Sequence, residues 1–160
     1  MPELQRLRAD HAPALLAFER ENRDFFVRSI PDRGDAYFAN FDERHRELLA
    51  LQDEGVDHFH VLVEPDGTIV GRVNLVRVSP DGSAELGYRI AERATGRGLA
   101  TQAVREVVGL AKSYGLSALK AETTLDNLAS RAVLTRVGFT ETGSTTLSGR
   151  PGLTYLLELA

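Results

Sequence analysis

Arg93-x-x-Gly96-Arg97-Gly98 sits where a strand-like run ending near Ile90 gives way to a helix-like run beginning near Leu99. Such a turn leaves the first helical amides without carbonyl partners, at the end of the helix where its dipole is positive. Glycines at 96 and 98 clear side chains from the approach to those amides, and Arg93 and Arg97 add charge at the rim, so the residue types fit a phosphate group. By itself a Gly-x-Gly turn beside arginines is common in chains of this size. Two further groups bear on it. Glu85 lies on the strand before the turn, and Asn127-x-x-Ser130 follows about 30 residues after the glycines.

The elements that must position these residues follow from pattern. Leu4 to Arg8 reads as a short strand, and Asp10 is placed to cap a helix reaching Glu21. A second helix is expected over Gly34 to Gln52. Strands at Phe59 to Glu64, Thr68 to Val78 and Ala84 to Ile90 are separated by Pro65-Asp66-Gly67 and Pro80-Asp81-Gly82, which makes an antiparallel meander. From Leu99 to Tyr114 apolar residues recur at helical spacing until Gly115. A strand at Ala118 to Leu125, a helix capped by Asn127, and a hairpin of Phe139 to Leu147 with Leu153 to Leu159 complete the chain. Only the unit from Ala84 to Leu125 requires parallel pairing.

At 160 residues with 42% hydrophobic and 26% charged residues, one domain spanning residues 1–160 is expected. A net charge of −4 argues against a nucleic-acid partner, no apolar run approaches the length that spans a membrane, and the absence of cysteine removes disulfides and thiolate metal sites. The N-terminal residues lack the order of a secretory signal, which points to the cytoplasm. A P-loop is missing. A dinucleotide-binding fold, with Glu122 as its ribose acid, is opposed by the meander that precedes the turn. His58 and His60 share a strand face but find no third metal ligand in the sequence, so no metal is expected; facing the acceptor cleft is the other reading of them. No Gly-x-Ser-x-Gly elbow is present. Leu153, Tyr155, Leu157 and Leu159 make the last strand apolar for an edge, which suggests a homodimer.

Arg93-x-x-Gly96-x-Gly98, then Asn127-x-x-Ser130, then Gly138-Phe139 together resemble the GNAT acetyltransferase superfamily. The stretches AELGYRI and ENRDFF resemble its RimJ/RimL-type branch, which acetylates ribosomal-protein N-termini. The resemblance implies an α/β fold with a mixed, mostly antiparallel central sheet, a parallel strand pair that splays apart, and flanking helices. It implies acetyl-CoA as co-substrate, with the pyrophosphate on Arg93, Gly96, Arg97, Gly98, Leu99 and Ala100. The pantetheine arm would bond strand amides at Leu86, Tyr88 and Ile90 and the side chain of Asn127, which otherwise is a plain helix cap. Glu85 resembles the strand glutamate acting as base, and Ser130 the serine beside the cofactor sulfur. The tyrosine acid of many members is replaced by Leu134. The acceptor implied is a primary amine, including a protein N-terminus. A module that binds acyl-CoA without turnover is the competing class. Phe25, Phe26, Tyr37 and Phe38 are expected to pack helices or to wall the acceptor cleft.

Overall fold

The computed structural model describes residues 2–159. Strand β1 (Glu3–Arg6) leads through a 3-10 turn into α1 (Ala12–Glu21), followed by α2 (Arg23–Phe26), α3 (Asp35–Ala39) and α4 (Phe41–Asp53). The meander is β2 (His58–Val63), β3 (Ile69–Val76) and β4 (Ser83–Ile90). Then come α5 (Leu99–Ser113), β5 (Ala118–Thr124), α6 (Leu128–Val137), β6 (Thr140–Leu147) and β7 (Arg150–Glu158). The seven strands form one sheet in the order β1-β2-β3-β4-β5-β7-β6, and β4 with β5 is its parallel pair. This is the expected mixed, mostly antiparallel architecture.

Local chemistry accounts for the elements. Gly67 and Gly82 take φ of +90° and +86° in the two expected turns, and a β-carbon on Gly82 would stand 2.7 Å from Ser117 Oγ. The Asn127 side chain accepts from Ser130 N at 3.1 Å and starts α6 as an N-cap. Helix α5 buries Val104, Val107 and Ala111 completely, against a sheet whose Val73, Leu75 and Leu119 are equally inaccessible. Each such valine or leucine side chain contributes roughly 1.5–3 kcal/mol on burial.

Alternation along the strands sorts two faces. On one, the cross-strand pair Arg72 and Arg89 converges on Glu19 of α1, with Arg89 bidentate at 2.8 and 2.7 Å and Arg72 at 2.6 Å. Burial opposes the Glu19 charge, but the two guanidiniums outweigh it and hold its carboxyl below the usual range. On the other face Tyr88 reaches α6, and His60 reaches Tyr114, just past the end of α5.

Several expectations change. Asp10 does not cap: its carboxylate accepts from Arg8 Nε at 3.1 Å, and His11 Nδ1 instead accepts from Arg8 N at 2.9 Å. The helix expected over Gly34 to Gln52 is broken at Asn40, whose side chain donates to Ala36 O at 2.9 Å, so α3 and α4 are separate. The short α2 is an addition to the expected elements. The last strand is not an edge, because β7 lies between β5 and β6; Tyr155 is buried there. The outer strand is β6, mostly exposed and rich in threonine. The apolar edge that motivated a homodimer is therefore covered within the chain.

Candidate functional site

Parallel pairing between β4 and β5 runs through Ser83 with Ala118, Ala84 with Leu119 and Glu85 with Lys120, and there it stops. From Leu86 to Ile90, β4 stays paired to β3 but diverges from β5. Backbone groups along that opening point into space rather than to a partner strand.

Two cavities of about 510 Å³ each meet at the opening. The first is lined by Leu86, Gly87 and Tyr88 of β4, Ala121 to Thr124 of β5, Leu134, and the tip of the final hairpin. The second runs from Tyr88 and Ile90 past Thr95, Gly96 and Gly98 to Leu99, Ala100 and Thr101. Ser29, Ile30, Tyr88, Asn127 and Ser130 line both. Tyr88 Oη and Ser130 Oγ are 2.9 Å apart, so a hydroxyl pair stands where the cavities join. Burial pushes the Tyr88 phenol above its usual pKa, with the Ser130 hydrogen bond opposing, and at neutral pH it keeps its proton.

The glycine turn has the anticipated geometry. A 3-10 turn at Glu92–Ala94 is closed by the Thr95 hydroxyl donating to Glu92 O at 2.7 Å. Gly96 and Gly98 follow at φ of +77° and +74°, the latter as N-cap of α5. A β-carbon on either would meet nothing within 4 Å, so the space before the α5 amides is open. Those first-turn amides have no intrahelical carbonyl to bond. Arg93 is exposed beside the turn, and Arg97 lies 3.7 Å from Glu64, outside the second cavity's lining.

The structure thus gathers Leu86, Tyr88, Ile90, Gly96, Gly98, Leu99, Ala100, Asn127 and Ser130 on the cavities. Glu85 stands apart. It is the last residue of the paired segment, lines neither cavity, and gives its carboxylate to Arg77 Nε, which holds its pKa below the usual range. The acid that does line the first cavity is Glu122, two residues beyond the last paired position of β5. Strand parity puts Glu122 on the same face as Lys120 and its partner Glu85, so the pattern of the residues alone did not single it out. Arg136, also missed by sequence reasoning, lines the second cavity in a stripe with Ala129, Ala132 and Val133, a helical spacing legible in α6.

His58 and His60 do not face the cleft. His60 is 1% exposed and bonds Val73 O and the Tyr114 hydroxyl at 3.1 and 2.7 Å, and His58 stacks on Tyr114 with centroids 4.0 Å apart. Burial lowers the His60 pKa to about 4, so both contacts hold a neutral ring. Among the described residues no group of three or more His, Cys, Asp or Glu is placed to hold a metal ion. The aromatic cluster divides: Phe26 packs on Phe18 at 5.4 Å, Phe25 and Phe26 also wall the second cavity, and Tyr37 packs on Phe38 and Phe41.

Comparison with known proteins agrees with this geometry. Residues 3–140 match the family model described as an acetyltransferase (GNAT) domain. The chain is 32% identical over 136 residues to the probable N-acetyltransferase YjcK of Bacillus subtilis strain 168, covering 80% of this chain and 74% of that protein. Its fold superimposes on the ribosomal-protein-S5-alanine acetyltransferase of Vibrio fischeri with a TM-score of 0.93 at 19% identity, over 99% of this chain and 93% of that one. It superimposes on Mycobacterium smegmatis RimJ in complex with a CoA-disulfide with a TM-score of 0.86 at 25% identity, over 97% and 80% of the two chains. With its splayed parallel pair, its glycine turn and this match over most of its length, the chain belongs to the GNAT acetyltransferase family, and is an acetyl-CoA-dependent N-acetyltransferase.

Proposed function

We propose that the chain is a cytoplasmic enzyme that acetylates the N-terminal amine of a protein or peptide, with acetyl-CoA in the second cavity and the amine in the first. The observation that carries this reading is the junction of the two cavities at the Tyr88–Ser130 pair, beside the opening between β4 and β5. In this arrangement the pyrophosphate rests on the amides from Gly96 to Ala100, with Arg93 and Arg97 at the rim. The acyl arm lies along Leu86 to Ile90 as an added strand, near Asn127.

A protonated amine cannot attack. Near neutral pH an α-amino group of pKa about 8 is unprotonated in roughly a tenth of molecules, a lysine in well under a thousandth. Glu122 is placed in the acceptor cavity to take the proton released as nitrogen bonds the acetyl carbon, while Glu85 is held by Arg77 outside it. A strand amide from Leu86 to Ile90 faces the carbonyl oxygen as it gains charge. When the carbon–sulfur bond breaks, the departing sulfur takes a hydrogen bond or proton from Ser130, which Tyr88 backs from behind. The charge lining of the acceptor cavity favours a monoamine over a polyamine: Glu122 is its carboxylate, and Arg150, bonded to Asp126 at 2.6 Å, also lines it.

The test is thiol release from acetyl-CoA with peptides bearing free or blocked N-termini, lysine side chains alone, or a polyamine. Turnover confined to free N-termini is expected. Turnover of the polyamine or of lysine side chains with none of free N-termini overturns this choice of acceptor.

A further inference from the structure

The second cavity does not end at the glycine turn. Past Gly98 it continues into a shallow trough of about 430 Å³ between α5 and the end of α6. Gly98, Thr101 and Arg136 line both spaces, and Gln102, Arg105 and Glu106 complete the trough. Positions 98, 101, 102 and 105 recur at the three- and four-residue spacing that keeps one helix face together.

Arg105 and Arg136 carry the positive charge of this trough, and Arg93 at the glycine turn likewise has no carboxylate within 4.0 Å among the described residues. Arg97 and Arg28, elsewhere on the rim, have carboxylate partners in Glu64 and Glu92 at 3.7 and 3.6 Å, and Arg131 on α6 has Glu141 at 3.7 Å. Neither Arg105 nor Arg136 has a carboxylate within 4.0 Å among the described residues. Arg105 Nη2 instead donates to the backbone carbonyl of Arg136 at 3.2 Å, which draws its guanidinium across to the last turn of α6. Glu106 also lines the trough, so one carboxylate faces two guanidiniums and the balance is positive.

The chemistry of the donor supplies the match. With its pyrophosphate on the Gly96 to Gly98 turn and its acyl arm running inward to Ser130, the other end of the molecule must leave the turn outward. That end is an adenosine carrying a 3′-phosphate, a phosphomonoester that planar guanidinium forks bind well. We propose that Arg105 and Arg136 form the binding site for the 3′-phosphate of CoA, and that the enzyme thereby selects CoA over its 3′-dephosphorylated form. This inference rests on the placement of the pyrophosphate at the glycine turn.

Affinity of the full chain for acetyl-CoA and for 3′-dephospho-acetyl-CoA, measured by calorimetry at low and high salt, tests it. The intact enzyme is expected to prefer acetyl-CoA by about tenfold to a hundredfold, the scale of hydrogen bonds between charged groups. Because both arginines are exposed, the preference should shrink as salt rises. Arg136→Gln and Arg105→Gln, surface changes that keep much of the side chain's length, should each reduce the preference, and the double variant should abolish it while binding the dephosphorylated donor as before. Equal affinity of the unaltered enzyme for both donors, or a preference that survives in the double variant, overturns the proposal. Gly98→Val separates the two levels of the argument. It should weaken both donors alike, and if it weakens neither the turn assignment fails whatever the arginines do.

Discussion

Strand β4 is two strands in one. Its first half, Ser83 to Glu85, is paired to β5 as well as lying beside β3, and its second half, Leu86 to Ile90, is paired to β3 alone. The paired half ends in Glu85, whose carboxylate is tied to Arg77 and whose backbone is satisfied. The open half carries Leu86, Gly87 and Tyr88 into the first cavity, with a hydroxyl pair where the two cavities join and backbone groups toward β5 left for a ligand. The difference teaches where to look for chemistry in this sheet. Groups that already have partners hold the scaffold, and groups free to meet a ligand lie where pairing stops. The carboxylates obey the same division: Glu85 is opposite Lys120 at the last pair, while Glu122 lies two residues into the open half of β5.

The largest expected effect is at the turn that feeds the opening. Gly98→Val places a branched side chain in the open space before the α5 amides, at a φ of +74° that such a residue adopts only under strain. Acetyl-CoA affinity should fall by at least about a hundredfold while the far-ultraviolet spectrum is kept, because several charge-assisted bonds go together. An affinity unchanged by this substitution would separate the turn from the opening and break the comparison. Next in size, Glu122→Gln should lower kcat by about a hundredfold, the scale of general base catalysis, with donor affinity preserved. Steady-state kinetics with a peptide acceptor reads it directly.

Much of this arrangement was legible in the residues. Turn chemistry at Gly67 and Gly82, the helical period from Leu99 and the Asn127 cap are local signals, and each element they announced is present. The parallel pair followed from connectivity, since a strand, a helix and a strand in succession leave few alternatives. What failed was either a side chain turning on its own backbone or a contact made far along the chain. Asn40 breaks a helix by bonding Ala36 O, which period counting does not register. The place of β7 inside the sheet depends on a hairpin inserting beside β5, so an apolar strand at the chain's end reads as an exposed edge until that pairing is known. Which of Glu85 and Glu122 lines the first cavity is likewise set by the register at which β4 and β5 part, with Ser83 standing opposite Ala118.

The hydroxyl pair sharpens the comparison at a smaller scale. Ser130→Ala should cost about tenfold in kcat, since a hydrogen bond to the departing sulfur assists and water substitutes in part. Tyr88→Phe should cost a similar factor, and the double variant less than the product, because the two hydroxyls act through one 2.9 Å contact. The pH profile identifies the tyrosine. Its pKa is raised by burial, so kcat should climb as the amine deprotonates and decline only above the ordinary phenol value of about 10. That late decline should be missing in Tyr88→Phe. A decline well below 10 that persists in the variant would point to a different acid.

The smallest effect is expected on the paired half, and it is the control on everything above. If Glu85 serves the scaffold, Glu85→Gln should change kcat/KM by less than about threefold, within what loss of an exposed ion pair does to a neighbouring site. Its consequence should instead be a modest loss of stability, at most about 1 kcal/mol, since the Glu85 and Arg77 side chains are 38% and 71% exposed and solvent screens them. The direction with pH follows from the lowered carboxyl pKa, whose first cause is the hydrogen bond from Arg77. A folded-state value below the unfolded one gives stability that is fully present above the unfolded pKa and is lost as pH falls through the folded one. The urea midpoint of the unaltered protein should therefore exceed that of the Glu85→Gln variant near neutral pH, and the two should converge in acid. A hundredfold fall in kcat with unchanged urea midpoints would reverse the assignment, placing the base on the paired half and leaving Glu122 to orient the amine.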